Sequence, residues 1–339
     1  MFRTSDYDFK LPANLIAQRP QLKRDECKMM VVHRKTKRVE HRVFKELPEY
    51  LEEGDVLVLN ETKVLPARLF GKKVPGGGRV ELLLLQEEQR NVWSCLIRKG
   101  KPGLNIVLEG GTSARVLDRT ESGEFLVEFD CDGTLFDKLD SIGLPPLPPY
   151  IRREATEDDR EYYQTVYAKK VGSVAAPTAG LHFTPSLLND IREKGAYVIH
   201  LLLHIGRATF KPIKVKDVRE HDMGAEYFEL DYEAADRMNT QKELGKKIVG
   251  VGTSIVRLLE TQGESGYLKP GKGWTEKFIY PPFEFKILDS MVTNFHLPKS
   301  TTLLLVSAFA GRDLVMKAYA EAVAEGYRFY SYGDAMLIV

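Results

Sequence analysis

The second half of the chain alternates strand-like and helix-like runs, and that order constrains the fold more than any other feature. A helix reads over 185–194 and stops at Gly195, and a strand reads over 196–204. A strand over 248–251 leads into a helix over 254–259, and another over 291–295 leads into a helix over 301–310. Gly311 and Gly326 read as helix stops, and the closing YRFYSYGDAMLIV as one or two strands flanking Gly333. Strands alternating with helices build a sheet with helices on its faces, so the expected fold class is α/β. In open α/β sheets ligands gather at the carboxyl ends of the strands. Four segments, GLHFT, HIGRATF, GVGTSIVR and TNFHLPKST, carry polar residues where plain turns would serve, and together they predict one shared site at four strand ends.

At 339 residues the chain is longer than one core of about 250–300 residues, so a second domain is expected. Residues 72–143 supply it. Short strands near 79–86, 91–98, 104–109, 113–118 and 124–130 are separated by glycine-rich breaks, which reads as a small antiparallel β-barrel. A helix over 134–142 and the proline-rich GLPPLPPYIRRE return the chain to the core. The expected division is a core of 1–71 and 144–339 with a barrel, 72–143, inserted in it. A hairpin over 29–46 has a basic tip, which suits phosphate or a plain solvated turn.

Composition excludes several classes. Forty-nine basic against 48 acidic residues rule out a generally basic nucleic-acid coat, leaving only a local basic face. Cys27, Cys95 and Cys131 lie far apart without a CxxC, which fits reduced thiols in the cytoplasm and no zinc cluster. The N-terminus has no apolar stretch of signal-peptide type, and no run is long enough for a bilayer, so no membrane partner is expected. His200 and His204 would be a metal pair on a helix; on a strand they stand about 13 Å apart and cannot share an ion. GYLKPGKG has no Ser or Thr after its lysine and reads as a loop, not a phosphate-binding P-loop.

The loop Gly172–Gly180 has almost no side chains and ends two residues before His182, after which Thr184 and Pro185 open a helix. Such a loop lets backbone amides approach a flat or charged ligand, and it equally suits a tight crossing between packed elements. Gly252, Thr253 and Ser254 lie where a strand becomes a helix, a place for a carboxylate or phosphate or for an ordinary cap. Asn60, Glu61, Thr62, Lys63 and Arg68 form a polar cluster after a buried strand.

The strings LVLNETKVLPARLFG, PLPPYIRRE, YYQTVYAKKVGSVAAPTAGLHFT, VGTSIVRLLE, FIYPPFEFKILDSMVTNFHLPKSTTLLLVSAFAG and YRFYSYGDAML resemble the S-adenosylmethionine:tRNA ribosyltransferase-isomerases of queuosine biosynthesis. The resemblance runs from about Asp6 to Met336 and implies an α/β core with an inserted β-barrel. It implies that S-adenosylmethionine is a co-substrate donating its ribosyl group to 7-aminomethyl-7-deazaguanine at the wobble position of tRNA with a GUN-type anticodon. The products would be epoxyqueuosine-tRNA, adenine and methionine, with no metal and no resident cofactor. A monomer is implied as well.

That chemistry needs a base for a proton beside the sulfonium and an acid for the departing adenine, and histidine, with an ordinary pKa of about 6.5, suits either. The candidates are His182, His204 and His296, with Glu226 as carboxylate partner. For the donor they are Gly172, Ala175, Ala176, Thr178, Gly180, Gly252 and Thr253, with Arg257 on the methionine carboxylate. Asn60, Asn294 and Asp289 are candidates for the deazaguanine edge, and Arg68, Lys72, Lys73, Arg152 and Arg153 for phosphates. The chain departs from the family pattern at Arg207 and Ala208, in place of a residue and glycine of H-V-G-x-G-T-F, and at Gly224, where M-H-S-E has histidine. A methyltransferase using the same donor would carry a glycine-rich turn early in the chain, and an RNA-binding module would carry a basic, aromatic barrel; neither pattern is present.

Overall fold

The computed structural model describes residues 2–121, 123–206 and 213–339. The chain opens with a hairpin of β1 (Lys28–His33) and β2 (Arg38–Val43), then β3 (Val56–Asn60) and β4 (Thr62–Val64). A barrel follows: β5 (Arg68–Val74), β6 (Arg79–Gln89), β7 (Val92–Ile97), β8 (Asn105–Leu108), β9 (Ser113–Arg119) and β10 (Phe125–Asp130). All neighbours are antiparallel, and β5 pairs with both β6 and β8, which closes the ring. Alternate residues such as Val80, Leu82 and Leu84 of β6, and Ala114 and Val116 of β9, point inward and fill it, as the two-residue strand period requires. Helix α1 (Leu135–Ile142), capped by Thr134 accepting from the Asp137 amide, adds Leu135 and Leu139 to that core. The short β11 (Gly143–Leu144) then pairs with the start of β5. The barrel's first strand begins at Arg68 and runs across the boundary expected at 71/72.

After α2 (Asp158–Tyr162), β12 (Lys170–Ser173) pairs with β4 in a small parallel ladder. The core elements follow as α3 (Pro185–Glu193), β13 (Tyr197–Leu203), β14 (Glu226–Leu230), α4 (Tyr232–Glu243), β15 (Ile248–Val251), α5 (Thr253–Gln262), β16 (Gly271–Thr275), β17 (Ser290–Asn294), α6 (Thr301–Ala310), α7 (Arg312–Ala324) and β18 (Ala335–Ile338). They build one nine-stranded sheet in the order β16-β14-β13-β3-β15-β17-β18-β1-β2. Its centre, β13-β3-β15-β17, is parallel, and both β14 and β18 run antiparallel to it. Val56 and Val58 of β3 face one apolar layer with Leu258, Leu303 and Val306 of α5 and α6, while Leu57 and Leu59 face another with Leu187 and Ile191 of α3. The central strands are therefore apolar on both faces, which is why they read as continuous hydrophobic runs.

Several expectations change. GLHFT runs from the end of a 3₁₀ turn, Thr178–His182, to Thr184, the N-cap of α3, and is not a strand end. GYLKPGKG is irregular only as far as Pro270, because Gly271 begins β16. Gly311 ends α6 and also precedes α7. One strand, β18, closes the chain, and a side chain at Gly333 would place a Cβ 2.4 Å from the Arg328 carbonyl oxygen.

Candidate active site

Because β15 and β17 are parallel neighbours, both release the chain on the same edge of the sheet. After β15, Gly252 adopts φ +86°, ψ 149°, a region open to glycine almost alone, and α5 starts at once. After β17 the chain passes His296 and reaches Ser300, whose hydroxyl accepts from the Leu303 amide and caps α6. Between the two helix starts lies a cleft of about 830 Å³ counting its mouth, within the range of small-molecule sites. Thr178 and Ala179 form one wall, Asn294 and His296 another, and Glu226 and Arg257 the floor's charged corner.

The helix starts differ electrostatically. Gly252 has no side chain with which to cap α5, and Gly252, Thr253 and Ser254 line the cleft at the positive end of the helix dipole. Ser300 has already satisfied one amide at the start of α6.

Only one of the three candidate histidines lines the cleft. His296 does so with its Nε2 2.9 Å from the Thr293 hydroxyl and its amide donating to the Tyr319 hydroxyl. His182 sits one layer behind: Asn294 Nδ2 donates to its Nε2 at 3.1 Å, and its Nδ1 lies 3.1 Å from Cys27 Sγ. The Asn294 Oδ1 accepts from Thr178, so His182 touches the cleft through Asn294. His204 lies off the cleft, its Nδ1 2.8 Å from the Thr62 hydroxyl and its ring against Tyr227. Burial pushes His182 and His296 down to about 3 and lowers His204 too, so all three are neutral near pH 7.

Glu226 and Arg257 meet as a buried ion pair, 2% and 4% exposed. Glu226 Oε1 also accepts from the Gly206 amide at 2.9 Å, and Arg257 donates from Nε to the Lys277 carbonyl and from Nη2 to the Thr275 carbonyl. Arg257 is therefore spoken for at all three nitrogens, and the expected pairing with a methionine carboxylate competes with these partners.

The small-residue loop divides in the same way. Ala176, Thr178, Gly252 and Thr253 line the cleft, whereas Ala175 is buried beneath it. Gly172 is small because His204 presses on it: a Cβ there would lie 2.6 Å from Nε2. Gly180 is small because Tyr167 does the same, 2.1 Å from its hydroxyl. Asn60 is buried and bridges β3 to β13 through the Leu203 amide and carbonyl. Asp289 precedes β17, at the opposite end from Asn294, and accepts from the Ile248 amide; five residues of strand separate it from the cleft by about 16 Å.

Among the basic candidates, Arg153 holds Asp159 with two hydrogen bonds of 2.6 and 2.7 Å, and Arg68 lies 3.1 Å from Glu81. Lys73 donates to the Lys99 carbonyl, and Arg152 and Lys72 are exposed. Arg207 and Ala208 lie outside the described residues. Gly224 takes φ +72°, a left-handed turn that suits glycine. Sequence reasoning missed Tyr150, Lys277, Phe278, Tyr330 and Ser331 in the lining. Tyr150 and Ser331 are joined by a hydroxyl–hydroxyl bond, and both lie in strings that looked like linker and terminal strand. Among the described residues no group of three His, Cys, Asp or Glu stands ready for a metal, and no helix is long and apolar enough to cross a membrane.

The family described as "Queuosine biosynthesis protein" matches residues 4–338. The S-adenosylmethionine:tRNA ribosyltransferase-isomerase of Desulforamulus reducens is 48% identical over 99% of both chains, and that of Pelotomaculum thermopropionicum is 49% identical over 99% of both. A crystal structure of S-adenosylmethionine tRNA ribosyltransferase from Thermotoga maritima covers 99% of this chain and 100% of its own, at 40% identity and a TM-score of 0.58. A cleft at the carboxyl ends of a parallel sheet, an inserted β-barrel and near full-length identity of this order place the chain in the S-adenosylmethionine:tRNA ribosyltransferase-isomerase family of queuosine biosynthesis.

Proposed function

We propose that the chain transfers the ribosyl group of S-adenosylmethionine to the aminomethyl group of 7-aminomethyl-7-deazaguanine at the wobble position of tRNA with a GUN-type anticodon, and isomerises it. Epoxyqueuosine-tRNA, adenine and methionine are the products. The observation that carries this reading is the pair of helix starts on one cleft, one of them left uncapped by Gly252. An uncapped helix start binds a carboxylate, so the methionine end of the donor belongs on α5, with Arg257 shaping that corner while bound to Glu226. The small-residue wall at Ala176, Thr178 and Ala179 suits the flat face of adenine.

His296 is the proton-transfer group in this reading. Neutral near pH 7, it accepts the proton removed from the carbon beside the sulfonium, and a group held near 3 by burial is, once protonated, a strong acid that passes that proton to the departing adenine nitrogen. Asn294 presents its amide to the deazaguanine edge, and His182 acts on the reaction only by holding that amide in orientation. The core, 1–71 and 144–339, carries the chemistry, and Arg152 and Lys72, both exposed, are the cations for tRNA phosphates.

The test is release of adenine and methionine from S-adenosylmethionine with tRNA carrying either 7-aminomethyl-7-deazaguanine or guanine at the wobble position. Release with the modified tRNA alone is expected. S-adenosylhomocysteine would show methyl transfer instead, and tight tRNA binding with no donor turnover would show a binding module.

A further inference from the structure

At the outer edge of the core sheet three aromatic rings stand in a row. His204 follows β13, Tyr227 belongs to β14 and Trp274 to β16, the last strand on that side. The His204 amide donates to the Tyr227 carbonyl, and Tyr227 is the register partner of Trp274, so the three side chains leave the same face of the pleat. The His204 and Tyr227 rings stack at 6.0 Å and 23°, and Tyr227 meets Trp274 edge to face at 5.6 Å. On the other face, Glu226 reaches Arg257 at the cleft and the Thr275 hydroxyl meets Thr261 of α5. The row thus begins one residue from the wall of the active site.

Two features set this strip apart from ordinary edge packing. Trp274 is 60% exposed on an edge strand, where charged side chains are the usual protection. Lysines border it: Lys170 reaches Glu229 at 2.7 Å, Lys272 is the register partner of the same Glu229, and Lys169 stands beside Glu61 at 3.7 Å. Three ammonium groups thus stand around a flat aromatic surface, interleaved with the carboxylates of Glu61, Glu229 and Asp231. Unpaired nucleotides offer the complement, base faces to stack and phosphates to meet lysine, whereas a duplex keeps its base faces hidden.

We propose that the His204–Tyr227–Trp274 strip stacks the unpaired bases beside the target base in the anticodon loop, holding the loop while the target base enters the cleft. This rests on the tRNA reading above. The chain has two tryptophans, and Trp93 is buried in the barrel, so a Trp93→Phe variant leaves Trp274 as the one indole reporter. Titration with an anticodon stem-loop should quench its fluorescence, and a fully paired RNA duplex of equal length should not. In the otherwise unaltered enzyme, Trp274→Ala should raise KM for tRNA roughly 5- to 100-fold at little change in kcat, and Trp274→Phe should restore most of it. Equal quenching by duplex would reduce the contact to phosphate and overturn the proposal, as would an unchanged KM in Trp274→Ala. Quenching does not depend on turnover, so an enzyme that binds the loop but releases no adenine would overturn the activity reading and leave the strip standing.

Discussion

The two ends of the central sheet are built from the same strands and finished in opposite ways. At the amino ends, carboxylates are used up by backbone amides: Asp55 accepts from Glu52 and Lys247, Asp289 from Ile248, and Glu260, at the far end of α5, from Lys286, Ile287 and Leu288. At the carboxyl ends, α5 starts without a cap and His296 and Asn294 line open space. A polar group saturated by its own protein stabilises the fold; one left facing a cleft is available to a substrate. The two ends also separate Asp289, which precedes β17 about 16 Å from the cleft, from Asn294, the last residue of that strand, which lines the cleft while held by Thr178 and His182.

Changes at the open end should cost activity, and changes at the closed end should cost stability. The largest expected effect is His296→Ala, a loss of about 10²–10⁴ in the rate of adenine release, with a denaturation midpoint near that of the parent. Parent-like turnover would remove His296 from the chemistry. Glu226→Gln tests the exception, a saturated pair at the open end: leaving Arg257 buried without its counter-charge should cost about 3–5 kcal/mol in denaturant unfolding. A smaller effect is expected for Gly252→Ala, which forces a side chain into φ +86°, ψ 149° at a cost of about 1–3 kcal/mol. Displacement of the α5 start should appear as a KM for S-adenosylmethionine raised roughly tenfold, measured at saturating tRNA.

The histidines add a pH dependence with a definite sign. His182 and His296 have folded pKa values lowered to about 3, so the unfolded chain, titrating near 6.5, binds protons first. Their contribution to stability is complete above about pH 6.5 and is lost as pH falls toward 3, on the order of 1–2 kcal/mol per histidine by pH 5. The stability lost between pH 7 and pH 5 should be smaller in His182→Gln. The smallest effect belongs to Asp289→Ala: about 1 kcal/mol of stability and unchanged adenine release. A large loss of activity there would break the contrast between the two ends.

The α/β core and the barrel were legible because both announce themselves by period. β6 and β9 alternate buried and exposed residues, and α5 and α6 begin just after β15 and β17, near the positions read. Strand β14 and helix α4 escaped notice: Glu226–Leu230 is short and mixed, and α4 is a largely polar, exposed helix with only a narrow buried stripe. The cleft-lining Tyr150, Lys277 and Tyr330 escaped for another reason, since each lies in an irregular segment whose position depends on partners far along the chain.

By itself the sequence determined the α/β core, the inserted barrel and the convergence of functional residues where β15 and β17 end, because apolar periodicity and glycine or proline breaks are local properties. Only the tertiary structure decided which of three similar histidines faces the cleft, why Gly172 and Gly180 must be small, and that Arg257 is held by Glu226. Those outcomes depend on contacts between residues far apart in sequence, such as His182 with Cys27 and Asn294, and desolvation by such contacts is what sets a side chain's charge.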